Sequence, residues 1–255
     1  MKLKPSYPRL RRDHPLANGL AGAWILSDGG GNVATDSSDW SRDGELENSP
    51  AWSPGRTGWS LKFEAATADR VRVPEVSGLF AGDFSISCEA FADGTGNRSL
   101  IGNGEVGQGV RIRLDANNRY DFRIGSSNLS FSGATVVPLK TWHQITVTRI
   151  GLSITAYLDG NQYGTVSNAS DGSGPDLLIG DVSFGSAVWS GRISYAIAHY
   201  RGMPAEEVSE LHADPFAMFR TRQRSYFAFA GGAPPDPPTA PRRRQKPQLI
   251  GCGVI

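Results

Sequence analysis

The sequence predicts an all-β fold: two antiparallel sheets stacked as a sandwich, followed by a short C-terminal helix and flanked by extended termini. Short segments alternate between apolar and polar residues with a period of two, as strands with one buried face do. These segments recur about every ten residues and are separated by glycine-rich turns, a spacing typical of a sandwich. The 255 residues include 31 glycines and 16 prolines, and 39% are hydrophobic, which suits many turns around a sizeable core.

The clearest strand pattern lies in residues 141–165, TWHQITVTRIGLSITAYLDGNQYGT. Ile145 and Val147 point to one side, and the residues that alternate with them point to the other. The alternation then resumes in the segment SITAYL. Asp159-Gly160 is a strong hairpin-turn pair, because both positions of such a turn tolerate positive φ. The stretch therefore predicts two strands and a turn into a third.

The same alternation predicts further strands in chain order. They lie at residues 19–27, 59–63, 70–73, 83–91, 97–103, 108–115, 119–125, 176–181 and 191–201. Two stacked sheets bury one face each, which explains why every strand alternates. In the last strand one face is predicted to carry Ile193, Tyr195, Ile197 and His199, and the other Ser194, Ala196, Ala198 and Tyr200.

One helix is predicted at residues 204–214. Pro204 suits the first helical turn, and Pro215 ends the helix. Glu206 and Glu207 lie near the positive end of the helix dipole. The chain then divides into an extended basic N-terminal arm (1–18), the sandwich domain (19–214) and an aromatic, proline-rich basic C-terminal extension (215–255).

Several motifs are shared with one family. Residues 19–38 contain a G-L-x-G-x-W strand, a D-G-x-G-N turn and an A-x-D-S-S segment, and residues 142–160 contain W-H-x-[apolar]-x-V-T followed by Y-[apolar]-D-G. These motifs resemble the laminin-G-like, concanavalin A-like lectin and glucanase family, of the kind found in bacteriophage structural proteins. The resemblance covers about three quarters of the chain. It implies a two-sheet jelly roll that serves as a scaffold for differing sites.

A structural calcium ion is the one candidate cofactor. Four aspartates fall in a single glycine-rich loop: Asp28, Asp36, Asp39 and Asp43. Hard cations bind several carboxylate and carbonyl oxygens on a bendable loop, and the resemblance implies a calcium near this region. The alternative is that these side chains form Asx-turns and cap the loop.

A polar patch on two neighbouring strands is the candidate glycan-binding site. Alternation leaves four side chains on the outer face: Arg111, Arg113, Asp121 and Arg123. Sugars are bound by aromatic stacking and by hydrogen bonds from such groups, whereas cross-strand ion pairs on a solvated face are the alternative. Four tryptophans in or beside loops could stack on sugars or close the sandwich edge: Trp40, Trp52, Trp59 and Trp189.

Catalysis is not expected. Glycosidases need two carboxylates about 5–10 Å apart, and the resembling family's enzymes usually show an E-x-D-x-x-E strand. Glu89 is followed by AFAD, without a third acid. The sequence has no G-x-S-x-G or H-E-x-x-H motif. The G-x-G-x-x-G match at residues 102–107 precedes a strand instead of a helix, so it predicts a turn and no dinucleotide site.

Positive charge is concentrated at the two ends of the chain. Residues 215–255 contain seven Lys and Arg and one acidic residue, while residues 1–214 contain 19 and 24. Basic ends indicate contact with an acidic partner surface or nucleic acid, and a solvated tail is the alternative. The apolar residues of the extension are predicted to pack on the sandwich or on a partner. The predicted assembly residues are Phe216, Phe219, Arg220, Arg222, Arg224, Arg242, Arg243 and Arg244.

Two functional hypotheses follow. The first is a non-enzymatic structural or decoration protein of a bacteriophage virion, which displays the jelly roll and is anchored by its termini to other virion proteins or to copies of itself. No signal peptide precedes the domain, so such a protein would be made in the host cytoplasm and located in the virion. The alternative is a lectin-like module that binds cell-surface or extracellular glycans. No membrane contact is expected, and nucleic acid is not the favoured partner.

Overall fold

Two antiparallel sheets of eight strands each form the body of the protein in a computed structural model. The structure describes residues 3–103, 109–125, 127–174, 176–182 and 187–221. These residues belong to one unit, Met1–Arg222. The predicted all-β sandwich with a short C-terminal helix is confirmed.

Each strand predicted from alternation is present, with ends that shift by a few residues. The described chain also contains six short strands that alternation did not predict, at residues 8–10, 33–34, 44–47, 51–54, 127–130 and 219–221. In chain order the strands are β1 (Pro8–Leu10), β2 (Leu20–Trp24), β3 (Val33–Ala34), β4 (Gly44–Glu47), β5 (Ala51–Pro54), β6 (Trp59–Phe63), β7 (Arg70–Val73), β8 (Phe84–Ala92), β9 (Arg98–Gly102), β10 (Val110–Leu114), β11 (Tyr120–Ile124), β12 (Ser127–Ser130), β13 (Trp142–Ile150), β14 (Ser153–Leu158), β15 (Asn161–Ser167), β16 (Leu177–Ile179), β17 (Gly191–His199) and β18 (Phe219–Thr221). Helix α1 (Ala205–Ala213) lies between β17 and β18.

The two sheets are named here by their strand order. Sheet I runs β15-β14-β13-β8-β17-β6-β5, and β2 pairs with the second half of β17. Sheet II runs β12-β11-β10-β9-β16-β7-β4-β3. Consecutive strands in the sequence often lie far apart in the sheets, as a jelly roll requires. A third, two-stranded sheet pairs β1 with β18.

The core between the sheets is built by the predicted inward faces. Ile145 lies opposite Cys88, and Val147 lies opposite Ile86, in the register of β13 and β8. All four side chains are buried in one hydrophobic cluster with the inward residues of sheet II. Period-two alternation therefore identified this core correctly.

The other face of sheet I is also buried, although it is largely polar. Three cross-strand rows of β13, β8 and β17 occupy this face: Thr148–Ser85–His199, Thr146–Ser87–Ile197 and Gln144–Glu89–Tyr195. The side-chain amide of Gln144 donates to the Tyr195 hydroxyl over 2.7 Å. Its carbonyl oxygen accepts from Nδ1 of His212 on α1, also over 2.7 Å. These bonds satisfy polar groups that burial would otherwise leave unpaired.

An outer layer of helix and irregular chain covers this face. Val208 and Leu211 of α1 are buried there, together with Met203. The predicted assembly residues Phe216 and Phe219, expected to pack on the sandwich or on a partner, both pack into the same cluster of the chain itself. Their apolar rings complete the cover of sheet I, and this packing removes the rings from water.

One predicted face is wrong. Alternation placed Ile193 on the same side of β17 as Tyr195 and Ile197, but Ile193 lies in the core between the sheets, whereas Tyr195 and Ile197 lie in the outer cluster. The register between β17 and β8 shifts between Ile193 and Tyr195. Such a β-bulge inserts a residue and reverses the facing of the side chains beyond it.

The N-terminal arm is packed onto the domain. Its β1 pairs with β18, and residues Pro15–Ala17 form a 3-10 turn whose Leu16 is fully buried in the outer cluster. The carbonyl oxygen of Leu16 lies 2.8 Å from Nε2 of the buried His199, which therefore carries its proton on Nε2. The predicted boundary between arm and domain at residue 18 thus separates two segments that share one hydrophobic cluster.

Burial of His199 predicts a loss of stability in mild acid. Desolvation lowers the pKa of His199 from 6.5 to about 4. Between these values the unfolded chain binds a proton that the folded chain excludes, so stability falls as the pH drops from 6.5 towards 4. From pH 7 to pH 4.5 we expect His199 to account for about 2 kcal/mol of lost unfolding free energy.

Urea unfolding of the wild type and of His199→Gln at both pH values measures this contribution. Glutamine can still donate to the Leu16 carbonyl but does not titrate in this range. The wild type should lose more stability than the variant, and equal losses would rule out His199 as the source.

Candidate functional site

A cleft of about 630 Å³ lies between the N-terminal arm and the segment that joins β2 to β4. We call it the aromatic cleft. Its lining residues are Lys4, Ser6, Tyr7 and Pro8 of the arm, Ser27, Asp28, Thr35 and Ser37 of the joining segment, and Gly58 and Trp59 at the start of β6.

Two aromatic side chains of the cleft are open to solvent. Trp59 is 45% exposed and Tyr7 is 60% exposed. Trp59 is positioned from behind by Gly29, which adopts φ of +71°. A Cβ atom at Gly29 would lie 2.6 Å from Nε1 of the indole. Glycine therefore permits both the left-handed turn and the close approach of the loop to the edge of Trp59.

Polar groups share this lining with the aromatic rings. Asp28 accepts a hydrogen bond from the Thr35 hydroxyl over 2.6 Å, and its second oxygen accepts from the Thr35 amide over 3.3 Å. Ser6, Ser27 and Ser37 add hydroxyl groups. A carboxylate and several hydroxyls beside exposed aromatic rings provide both hydrogen bonds and an apolar surface for a polar ligand.

Lys4 fixes the arm that forms one wall of the cleft. Its Nζ is buried and donates to the main-chain carbonyls of Leu26, Trp59 and Ser194. Burial lowers the pKa of Lys4 to about 7, against the opposing charges of Glu89 and Asp28. The three carbonyl oxygens match the three protons of an ammonium group. These hydrogen bonds therefore favour the charged form of Lys4, in opposition to the effect of burial. The side chain crosses from the arm to β6 and β17 and closes the floor of the cleft.

The four aspartates predicted to hold calcium do not form a cation site. Asp36 accepts from the main-chain amides of Ala23, Ser38 and Arg42 and from the Ser38 hydroxyl. Asp43 accepts from the Asp36 amide. These bonds match the alternative of Asx-turns and loop capping.

The other two aspartates have separate partners, because Asp28 bonds Thr35 and Asp39 accepts from Nε of Arg12 over 2.7 Å. In the part of the chain that the structure describes, no three His, Cys, Asp or Glu side chains are grouped to hold a metal. The residues present in this loop therefore do not fit a calcium ion.

The predicted glycan-binding patch is brought together on the outer face of sheet II. Arg113 faces Asp121 across β10 and β11, and its Nε and Nη2 atoms donate to the carboxylate over 2.8 and 2.5 Å. This pair fits the ion-pair alternative. Arg111 lies opposite Arg123 in the same register. Desolvation, followed by the charges of Arg113 and Arg123, lowers the pKa of Arg111.

The four loop tryptophans differ in their exposure and in their contacts. Trp59 lines the aromatic cleft, whereas Trp189 is fully buried in the core between the sheets and cannot stack on a sugar. Trp40 is 53% exposed, but its Nε1 donates to the Leu20 carbonyl and the Arg42 guanidinium lies 4.4 Å from its ring. Trp52 donates to the main chain of the neighbouring loop.

The predicted assembly arginines lie at or beyond the end of the described chain. Arg220 belongs to β18, where it pairs in register with Arg9, and its side chain is not described. The other five arginines of that set lie outside the described residues: Arg222, Arg224, Arg242, Arg243 and Arg244. Within the described chain, no helix has the length and apolar character needed to cross a membrane.

Sequence reasoning missed the contribution of the arm to the cleft. Lys4 and Tyr7 lie in an irregular segment between prolines, where no periodicity marks a buried or exposed position. Trp59 was recognised as a candidate, but its partners in the cleft are remote in the sequence. Only the closure of the arm over β6 brings Tyr7 and Trp59 to the same cleft.

The sequence of residues 65–209 matches the family described as the concanavalin A-like lectin/glucanases superfamily, Laminin_G_3. The match covers more than half of the chain, and the protein belongs to this family. Comparison with curated proteins gives no match.

Solved structures share the fold at low sequence identity. Domain 4 of AbnA, an extracellular GH43 arabinanase from Geobacillus stearothermophilus solved with arabinotriose, is 15% identical with a TM-score of 0.63, over 76% of this chain and 98% of that one. The binding domain of Paraclostridial Mosquitocidal Protein 1 is 15% identical with a TM-score of 0.62, over 77% and 52%. Trypanosoma rangeli sialidase is 17% identical with a TM-score of 0.58, over 78% and 33%. This chain thus spans about half of the second protein and a third of the third.

Removal of the Lys4 ammonium should release the arm. In Lys4→Ala the three carbonyl oxygens lose their donor, and hydrogen bonds to charged groups contribute about 1.5–3 kcal/mol each. We expect trypsin to cleave after Arg9 and Arg11 at least about ten-fold faster than in the wild type, because cleavage follows the population of the open arm. Mass spectrometry of the digest gives the rate.

Lys62→Ala is the matched control for this prediction. Lys62 makes a surface ion pair with Glu64 over 2.8 Å and does not contact the arm. It should leave the cleavage rate unchanged. If Lys4→Ala is cut no faster than Lys62→Ala, Lys4 does not hold the arm.

Proposed function

We propose that the protein is a non-enzymatic carbohydrate-binding module that binds a glycan in the aromatic cleft. The observation that carries the proposal is that two exposed aromatic rings, Trp59 and Tyr7, line the same cleft as the Asp28 carboxylate and several hydroxyls.

This combination suits the chemistry of a sugar. A sugar ring presents an apolar face of C–H groups and an edge of hydroxyls. Aromatic side chains offer a large, rigid apolar surface for the face. A few placed polar groups, here Asp28 and the neighbouring serines, fix the orientation of the edge.

The fold adds support at the level of analogy. The arabinanase domain with the same fold was solved with arabinotriose, and that observation concerns the arabinanase alone. Because one fold carries many functions, the fold makes sugar binding reasonable, and the residues of the cleft are the specific support for it.

Carboxylate chemistry favours binding over hydrolysis. Among the described residues that line the aromatic cleft, Asp28 is the one carboxylate, and glycoside hydrolysis uses a pair. Glu89, the other acid near the cleft floor, is buried and lies 2.9 Å from Arg56 in an ion pair. We therefore propose that a bound glycan is held without being cleaved.

The second candidate function is a structural or decoration role in a bacteriophage virion, with the lectin-like domain displayed on the particle. Its basis is the family resemblance and the positive charge of residues 215–255, which contain seven basic residues and one acidic residue. Both functions are compatible, since a displayed domain can adhere to glycans. Burial of Phe216 and Phe219 leaves the arginines beyond them as the proposed contacts to other virion proteins or to further copies.

Light scattering tests the assembly role. The full chain should form oligomers, or bind a virion partner, that a chain truncated after Arg222 does not. Truncation after Asp214 would be a poor choice, because it removes the Phe216 and Phe219 side chains that cover sheet I. If both chains are monomers and bind the same partners, the extension is not an assembly device.

Trp59→Ala tests the glycan site directly. A glycan array identifies bound saccharides, and calorimetry gives the affinity of the best of them. Loss of the stacking surface should weaken binding by about ten-fold or more, as for other central aromatic contacts. Thermal unfolding confirms that the variant is folded.

The matched control is Trp40→Ala, which removes a similarly exposed tryptophan outside the cleft. It should leave the affinity unchanged. Binding of no glycan by the wild type, or equal affinity of Trp59→Ala and the wild type, would refute the proposal.

A further inference from the structure

A second cleft, of about 550 Å³, continues along the same two walls as the aromatic cleft. We call it the arginine cleft. It is lined by Arg9, Leu10, Arg11, Arg12 and Asp13 of the arm and by Asp39 of the segment between β2 and β4.

The two clefts follow each other residue by residue. On the arm, Pro8 lines the aromatic cleft and Arg9 lines the arginine cleft. On the opposite wall the lining passes from Ser37 to Asp39. The ion pair between Arg12 and Asp39 joins the walls over 2.7 Å. The linings of the two clefts thus adjoin along both walls, and we refer to the two clefts together as the groove, with an aromatic part and a basic part.

The basic part has more positive charge than its acids neutralise. Arg12 is paired with Asp39, while the contact of Arg11 with Asp13 is long, at 3.4 Å. The Nε atom of Arg11 is buried without a hydrogen-bond partner among the described residues.

Arg9 adds a further open charge. Its guanidinium is exposed and has no ion-pair partner in the described part of the chain. An anion bound at this position would pair with the exposed Arg9 guanidinium.

We infer that the ligand of this groove is an acidic saccharide, with a sugar ring in the aromatic cleft and a carboxylate or sulfate group beside Arg9 and Arg11. The inference rests on the proposed glycan-binding function and specifies its ligand class. The planar guanidinium presents two parallel donors that match the two oxygens of such a group.

Charge elsewhere on the domain favours a short acidic saccharide over nucleic acid. Residues 1–214 contain 19 basic and 24 acidic residues, so the body of the protein is net negative. A long polyanion needs many basic contacts along its backbone. A local positive site on an acidic body instead suits a ligand with one or a few charges.

The experiment compares matched saccharides on the full chain. An array presents each backbone in neutral, carboxylated and sulfated form, for example galactotriose beside trigalacturonate and lactose beside sulfolactose. We expect the acidic member of the bound pair to bind more tightly, with an advantage that shrinks as salt rises from 50 to 300 mM, because exposed charges are screened. The carboxylated and sulfated arms distinguish the two sources of charge.

Variants locate the acidic group. Arg9→Gln combined with Arg11→Gln should lower affinity for the acidic saccharide by about five-fold, the scale of exposed ion pairs, and leave its neutral counterpart unchanged. Arg72→Gln is the control, because Arg72 is also an exposed arginine but lies on sheet II. Trp59→Ala should weaken both saccharides.

The outcomes separate this inference from the proposed function. Equal binding of neutral and acidic members, lost in Trp59→Ala but unaffected by the arginine variants, would overturn the acidic ligand and keep the glycan site. Absence of any bound saccharide would overturn both. Tighter binding of single-stranded oligothymidylate than of any saccharide would overturn the inference in favour of a nucleic-acid ligand.

Discussion

Sheet I has to be buried on both faces, and one of those faces is polar. The rows of serine, threonine, glutamine and glutamate on β8 and β13 cannot be covered by apolar side chains alone without losing hydrogen bonds. The outer layer meets this constraint by supplying polar partners as well as apolar cover. His212 of α1 bonds Gln144, and the Met203 amide donates to the Ser85 hydroxyl over 2.7 Å. The arm adds the Leu16 carbonyl for His199. Helix α1, the segment that follows it and the N-terminal arm thus belong to the fold itself, because together they cover the polar face of sheet I.

Much of the sandwich could be predicted from alternation, because the inward face of each strand is uniformly apolar. The same signal cannot tell a solvated outer face from a buried polar one, since serine and threonine occupy both. Ser87 and Thr146 read as surface residues but are buried under the outer layer. Ile193 was assigned to the wrong face because a β-bulge leaves no mark in a pattern of apolar residues. Phe216 and Phe219 were correctly recognised as too apolar for water, but the sequence could not decide between the chain's own sheet and a partner.

The candidate site was predictable only in part. Trp59 and Asp28 were recognisable as sugar-binding and cation-binding residue types, respectively. Their placement in one cleft depends on contacts between segments far apart in the sequence, such as the Lys4 ammonium with β6 and β17. The aspartate loop shows the same limit. Its residue types suggest cation binding, but the carboxylates of Asp36 and Asp43 instead accept hydrogen bonds from main-chain amides. The family match spans residues 65–209, whereas the groove is built from residues between 4 and 59.

The pairing of β1 with β18 has a mechanical consequence. The two strands run antiparallel, and Pro8 lies opposite Thr221 where the chain enters and leaves the ladder. A force that pulls Pro8 and Thr221 apart therefore loads that pair first, then Arg9 with Arg220, and last Leu10 with Phe219. The hydrogen bonds open in sequence instead of sharing the load, so this ladder unzips at low force. Tension between these two residues would thus separate β1 from β18, while the Lys4 ammonium still holds the start of the arm to the sandwich.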